Sequence, residues 1–281
     1  MRSERQASTK TEKHLAEAPD PIDASESDEG LFVASLAKGM KVLECFDGGR
    51  ASLSLTEIAA RAAIGKSAAQ RAVATLHALG YLRKDDQTRY YRIAPKLLGL
   101  TRFYSAGQNM VEICLPEIRR CHELTGETVN VTERDDTDIV CIARIPGRHV
   151  VTISIGVGFR LPAYATAPGL AMLAFEDPVI AEAILERSDR ILFTKQTVTS
   201  VPELMTWLGQ IRKEGYVIAD QLRYEGEYSI AAPIFGAMGG VVGAVNVSAP
   251  TTRYSLHELR SRIVPVVVET AMRISTRLRG E

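Results

Sequence analysis

Within residues 54–93, two short helical patterns meet at a tight turn and run straight into a pair of basic extended segments, an order that few folds accept. Ser54-Leu55-Thr56-Glu57 opens the first helix, because a serine and a glutamate three residues on can cap each other's backbone N–H groups. Ile58, Ala59 and Ala62 follow on one face, and the pattern stops near Ala63. After Ile64-Gly65 a second helix is predicted over residues 66–79, with Ala69, Ala72, Val73 and Leu76 as its apolar stripe and Gly80 placed to end it. Its other face carries Ser67, Gln70, Arg71 and Thr75. Residues 81–84 and 90–93 then read as strands around Asp85-Asp86-Gln87-Thr88, a β-hairpin. An earlier helix, from Ser35, carries Leu36, Met40, Leu43 and Phe46 and ends at Asp47-Gly48-Gly49. Three helices followed by a basic hairpin make a winged helix-turn-helix.

Charge supports that order. The 281 residues carry 34 Lys/Arg and 34 Asp/Glu, a net charge of zero, but the two signs are segregated. Residues 31–104 hold 12 basic and 5 acidic side chains, against 4 and 8 in residues 1–30 and 18 and 21 in the remainder. A basic block of domain size between acidic flanks is the electrostatic footprint of a nucleic-acid-binding module, and an ordinary solvated surface is the alternative. The acidic flanks keep the chain from sticking indiscriminately to polyanions.

Residues 1–30, rich in Glu, Asp, Ser and Pro, bury too little to offset the entropy of ordering and are expected to form a disordered arm. Residues 31–94 form the winged helix-turn-helix domain, 95–109 a linker helix, and 110–281 a second domain. In that domain helices are predicted over 110–125, 168–175, 179–187 and 201–214, and strands over 127–133, 139–145, 150–155, 229–235 and 241–248. A long final helix opens with a second capping box, Ser255 to Glu258, and carries the stripe Leu256, Leu259, Ile263, Val267, Ala271 and Ile274. The fold class is α+β. Ser229-Ile230-Ala231-Ala232 and Ala244-Val245-Asn246-Val247-Ser248 each alternate small or polar residues with larger apolar ones, which suits either a pocket floor or a solvent-facing sheet.

No apolar run approaches the roughly 20 residues needed to span a bilayer, and the polar opening MRSERQASTK does not read as a secretory signal. A cytoplasmic protein with no membrane partner is expected. Cys45, Cys114, Cys121 and Cys141 form no C-x-x-C pair, so neither disulfides nor a metal site are expected, and no cofactor is called for. G-x-S-x-G, H-E-x-x-H and P-loop motifs are absent, and Gly156-Val157-Gly158-Phe159-Arg160-Leu161 stops short of a dinucleotide fingerprint, which argues against an enzyme. Cys141, in an apolar strand, reads as a small buried hydrophobe.

Over about residues 31–278 the chain resembles IclR-type transcriptional regulators. The likeness is carried by the stretch from Phe32 to Gly39 with Val42-Leu43, by Leu55-Thr56-Glu57-Ile58-Ala59, by Thr75-Leu76 with Leu79-Gly80-Tyr81-Leu82, and by Arg160-Leu161-Pro162-Ala163-Tyr164. The run from Gly226 to Pro233 and Asn246-Val247-Ser248-Ala249-Pro250 also fit. The opening stretch and residues 161–166 look closest to the branch that controls protocatechuate, 4-hydroxybenzoate and β-ketoadipate catabolism. Two departures stand out: Ala63 occupies the turn where the family usually has glycine, and Leu170 stands where a basic residue is common, just after Pro168.

The resemblance implies a GAF-like effector-binding and oligomerisation domain behind the DNA-binding domain. It makes residues 66–79 the recognition helix, with Lys66, Ser67, Gln70, Arg71 and Thr75 turned to DNA, and puts Arg83, Lys84, Arg89 and Arg92 of the wing on the backbone or minor groove. It implies an effector site at Tyr164, Thr166, Ala167, Asp220, Glu227, Ser229, Asn246 and Ser248. Free N–H groups near Ala167 and Gly169 would favour a carboxylate, and Arg144, Arg148 and Arg160 are further candidates to pair with one. The implied partners are a palindromic double-stranded operator, a small organic acid and further copies of the chain, as a homodimer or tetramer. A sensor or scaffold that acts through protein contacts without binding DNA is the alternative.

Overall fold

The computed structural model describes residues 31–46, 50–100, 104, 110–147 and 156–280. The expected disordered arm, the Asp47-Gly48-Gly49 turn, most of residues 101–109 of the linker and the strand over 150–155 lie outside the described residues. The chain divides into two compact units, within residues 1–106 and 107–281.

In the first unit α1 is Ala34–Glu44, α2 Leu55–Arg61 and α3 Lys66–Ala78, followed by the antiparallel pair β1, Leu82–Lys84, and β2, Tyr91–Ile93. The Ser54 capping box forms: the Ser54 N–H donates to the Glu57 carboxylate at 2.8 Å, and the Glu57 N–H to Ser54 Oγ at 3.3 Å. A cap of this kind contributes about 1 kcal/mol. Val42, Leu53, Ile58, Val73, Leu76 and Leu82 close the core. Leu36 and Met40 do not join it; they are 64% and 49% exposed, because α1 enters the core through Val42 and Cys45. Leu53 adds a bridge to Tyr91 that the sequence pattern did not suggest. At the turn between α2 and α3, Ala63 takes the left-handed conformation, φ 51°, while Gly65 is extended at φ −61°. The glycine therefore sits where any residue would fit, and the strain falls on Ala63 at about 1 kcal/mol or more.

Beyond β2, Pro95–Leu97 is a single 3-10 turn and residues 98–100 continue helically. The second unit begins with α4, Met110–Thr125, then β3, Thr128–Asp135, β4, Asp138–Ile145, and β5, Arg160–Pro162. A 3-10 turn, Ala163–Ala165, leads into α5, Ala167–Leu173, α6, Pro178–Arg187, and α7, Val201–Glu214. Strands β6, Val217–Asp220, β7, Glu227–Phe235, and β8, Val241–Pro250, complete one antiparallel sheet in the order β5-β4-β3-β8-β7-β6. The two outermost strands were not anticipated, since three or four residues are too few for an alternating pattern.

The chain closes with α8, Leu256–Glu258, a π-helical turn, Leu259–Ile263, and α9, Val264–Leu278. The second capping box forms as expected, and Leu259, Ile263, Val267, Ala271 and Ile274 are buried; Leu256, at 45% exposed, is not. The π turn precedes Pro265, which lacks the N–H that a regular ladder would use there.

Helices cover both faces of the sheet. Ile230, Ala232, Ile234, Val245 and Val247 pack towards α4 and α9, and Ala219, Ala231 and Ala244 towards α5 and α7. The alternation in β7 and β8 thus turns Ser229, Asn246 and Ser248 to the α5 side, under cover rather than into solvent.

Candidate nucleic-acid interface and ligand cavity

In the first unit, Ala69, Val73 and Leu76 of α3 face inward, which leaves Lys66, Ser67, Gln70, Arg71 and Thr75 exposed along the opposite side. The Thr75 hydroxyl donates back to the Arg71 carbonyl at 3.0 Å, so its acceptor lone pairs are what it offers outward. On the hairpin, Arg83 and Arg92 stand directly opposite one another, both exposed. Like charges so paired repel, and an external polyanion would relieve that. Lys84 lies over the Tyr91 ring at 5.8 Å, and Arg89 holds the positive φ, 62°, at the tip. Among the described residues, Lys66, Arg71, Arg83 and Arg89 enter no ion pair. Lys96 anchors the base of the hairpin, donating to the Leu79 carbonyl at 2.8 Å over the Tyr81 ring.

The second unit holds a cavity, partly open to solvent, between the sheet and the entry to α5. Its polar floor is a chain of amides and hydroxyls. Arg144 Nη1 donates to Asn130 Oδ1 at 2.8 Å, Asn130 Nδ2 to Asn246 Oδ1 at 3.3 Å, and Asn246 Nδ2 to Ser229 Oγ at 3.1 Å and Ser248 Oγ at 3.3 Å. Ile139, Cys141, Phe159, Leu161 and Leu222 supply apolar walls. A bulge at Val131/Thr132 accompanies Thr132, whose buried hydroxyl at the cavity has no partner.

Six of the eight sequence-derived effector residues, Thr166, Ala167, Glu227, Ser229, Asn246 and Ser248, line this cavity; Tyr164 and Asp220 do not. Tyr164 is fully buried in the neighbouring core, its hydroxyl donating to the Ile191 carbonyl at 2.8 Å and accepting from the Ile191 N–H at 2.6 Å. Burial pushes that hydroxyl up to about 12. Asp220 is exposed and accepts from the Gln221 side chain, because the alternation of β6 turns Ala219 inward in its place. The Gly169 N–H is not free either: it caps onto Thr166 Oγ1 at 3.3 Å. Gly169 is required for close approach, since a Cβ there would lie 2.1 Å from the Ala163 carbonyl oxygen.

Of the arginines proposed as carboxylate partners, Arg160 is committed to Asp135 and Asp138, Arg144 to Asn130, and Arg148 lies outside the described residues. The cation that reaches the cavity is Arg223. Its guanidinium stacks on Phe193 at 3.7 Å and on Tyr224 at 4.8 Å, and its buried Nε has no partner. Burial lowers its pKa, and burial also raises that of Glu227, against the pull of Ser248, Arg144 and Arg223. The loop that holds Arg223 is pinned at both carbonyls before it, by Thr194 Oγ1 to Gln221 at 2.6 Å and by Thr197 Oγ1 to Leu222 at 2.8 Å. Sequence reading missed Arg223 because it lies in an irregular loop. Its flanking aromatic Tyr224 was the one local hint. Burial lifts the Cys141 thiol to about 11, which leaves it un-ionised at neutral pH and a poor nucleophile. The cavity can therefore hold a small molecule with an apolar body and an anionic group.

Comparison with known proteins places both units. Residues 35–86 match the IclR helix-turn-helix domain model, and residues 103–276 the model described as bacterial transcriptional regulator IclR C-terminal. The Pca regulon regulatory protein of Pseudomonas putida is 31% identical over 250 residues, which span 89% of this chain and 85% of that protein. The p-hydroxybenzoate hydroxylase transcriptional activator of Acinetobacter baylyi is 26% identical over 265 residues, spanning 92% and 97%. Among solved structures, an IclR homologue from Microbacterium hydrocarbonoxydans complexed with 4-hydroxybenzoate superposes with a TM-score of 0.78 at 25% identity, covering 88% of this chain and 100% of that one.

Proposed function

Since the chain belongs to the IclR family of bacterial transcriptional regulators, a DNA-binding domain followed by an effector domain and not an enzyme, we propose that it reads an operator through α3 and the hairpin and answers to a small aromatic acid held in the cavity. The observation that carries the ligand half is Arg223: a half-buried side chain whose buried Nε has no partner, lining a cavity with apolar walls and an amide floor. An aromatic carboxylate satisfies all three. The solved relative that holds 4-hydroxybenzoate supports this ligand class.

In the DNA half, the first turns of α3 enter the major groove, where Gln70 and Arg71 bond base edges and Lys66 and Ser67 meet phosphates. Arg83, Arg89 and Arg92 on the hairpin grip the backbone or the adjacent minor groove and fix register. The operator is palindromic and the protein a homodimer or tetramer. Support for self-association comes from the exposed apolar run Leu31, Phe32, Val33, Leu36 and Met40 at the start of the DNA-binding unit, a surface a second copy would cover. The protein acts in the cytoplasm, where its operator lies. An acid that binds the DNA-competent and incompetent arrangements unequally shifts the population between them.

Fluorescence anisotropy on the intergenic DNA beside its own gene, at two salt concentrations and with 4-hydroxybenzoate, protocatechuate or β-ketoadipate, tests this. Specific, salt-sensitive binding altered by one of the acids is expected. Specific binding indifferent to all three would remove the aromatic-acid assignment, and no DNA binding under any condition would move the protein to the class of sensors that act by protein contacts alone.

A further inference from the structure

The charges around the cavity go further than the class of ligand. Resting on the effector reading above, we propose that the cavity admits monoanionic acids and that Glu227 is the residue that turns away dianions of the same shape. Among the described residues, Arg223 and Glu227 are the two charged side chains that line it. No ion pair joins them, and each acts on the other electrostatically.

The groups that face Glu227 can be taken element by element. Arg144 of β4 acts on it from behind the Asn130–Asn246 floor, where its guanidinium is fixed by Asn130 Oδ1 at 2.8 Å. Ser248 of β8 presents a hydroxyl, and the preceding loop presents Arg223 and Tyr224. Asp220 of β6 is turned outward to Gln221. Among the described residues, two cations and one carboxylate leave a single positive charge uncompensated. One ligand carboxylate on Arg223 balances it.

A second carboxylate in the same site would meet the charge of Glu227 with no further cation among the described lining residues to pair it, and two carboxylates sharing a confined site repel strongly. The guanidinium is preorganised for the first: it lies over the Phe193 ring and beside Tyr224, and the Thr194 and Thr197 hydroxyls hold the loop in place. A hydroxyl at the far end of the ligand meets no such penalty, since Thr132 Oγ1 and the amide floor can bond it. Specificity here comes from an unpaired like charge built against the wrong ligand.

Isothermal titration of the full chain with 4-hydroxybenzoate and with terephthalate, which replaces the para hydroxyl by a second carboxylate, reads this directly. Protocatechuate and β-ketoadipate serve as a second monoanion and dianion. Wild type should prefer each monoanion over its dianion by at least about tenfold, and Glu227→Gln should shrink that ratio by a similar factor or reverse it. On wild type alone, lowering the pH should favour terephthalate relative to 4-hydroxybenzoate, because burial raises the pKa of Glu227 and its protonation removes the opposing charge, which keeps the test open if the variant does not fold. Equal affinity for monoanion and dianion in wild type, or a ratio unmoved by Glu227→Gln and by pH, overturns the assignment of Glu227 while leaving the effector reading intact. Failure of all four acids to bind wild type overturns both.

Discussion

The two units of this protein use the same side chain under opposite conditions. On α3 and the hairpin, Arg71, Arg83, Arg89 and Arg92 stand in water, and Arg83 and Arg92 even face each other across the strand pair. In the effector unit, Arg223 lies against two aromatic rings with its Nε buried and unsatisfied. Exposed cations exert a long-range attraction that salt screens, and they contribute little to folding. The buried one has already lost much of its hydration, so a partner that reaches it gains a charge-assisted hydrogen bond in surroundings of low dielectric. On the proposed reading, arginine in the first unit gives affinity and register, and in the second it gives selection.

The contrast breaks most visibly at Arg223. Arg223→Met should remove about 3 kcal/mol from binding of the responding acid, on the order of a hundredfold in Kd by titration calorimetry. A loss no larger than that of an exposed arginine would erase the distinction. Next in size, Arg71→Ala should weaken operator binding by about 2 kcal/mol and relax preference at one base pair, with the thermal midpoint unchanged. Unchanged operator affinity would remove Arg71 from the interface. Arg89→Ala should cost less, about 1 kcal/mol spread evenly over all sequences, and lower the slope of log affinity against log salt by about 1. A loss confined to one base identity would make Arg89 a reader of sequence. Smallest is Ala63→Gly, which relieves the left-handed backbone at the α2–α3 turn and should raise the stability of the DNA-binding unit by about 0.5–1 kcal/mol in denaturant unfolding. A destabilised variant would show that the turn carries no strain.

The first unit was more legible than the second because its determinants are local. Both capping boxes, at Ser54 and Ser255, form with the partners that a three-residue spacing dictates. The apolar stripe of α3 is buried and its basic face exposed, as the 3.6-residue period requires. Even there Leu36 and Met40 belie their spacing, since periodicity marks an apolar face but not whether another element covers it.

The alternation in β7 and β8 likewise showed which side chains share a face. Whether that face met water or a helix was decided by α5 closing over it. Tyr164 and Asp220 were misplaced for related reasons. A 3-10 turn rotates Tyr164 into the core towards Ile191, and a short edge strand turns Asp220 to solvent; neither element is long enough to leave a periodic trace. Sequence by itself determined the order of the longer elements, the caps, the segregation of charge and the family, all of which depend on neighbours within a turn or on composition. Tertiary structure alone decided that β3 pairs with β8, Asn130 opposite Asn246 across 116 residues of chain, and that Arg223 and Glu227 share a cavity. Contacts of that separation are selected by the packing of the whole sheet between its helices, and no local pattern encodes them.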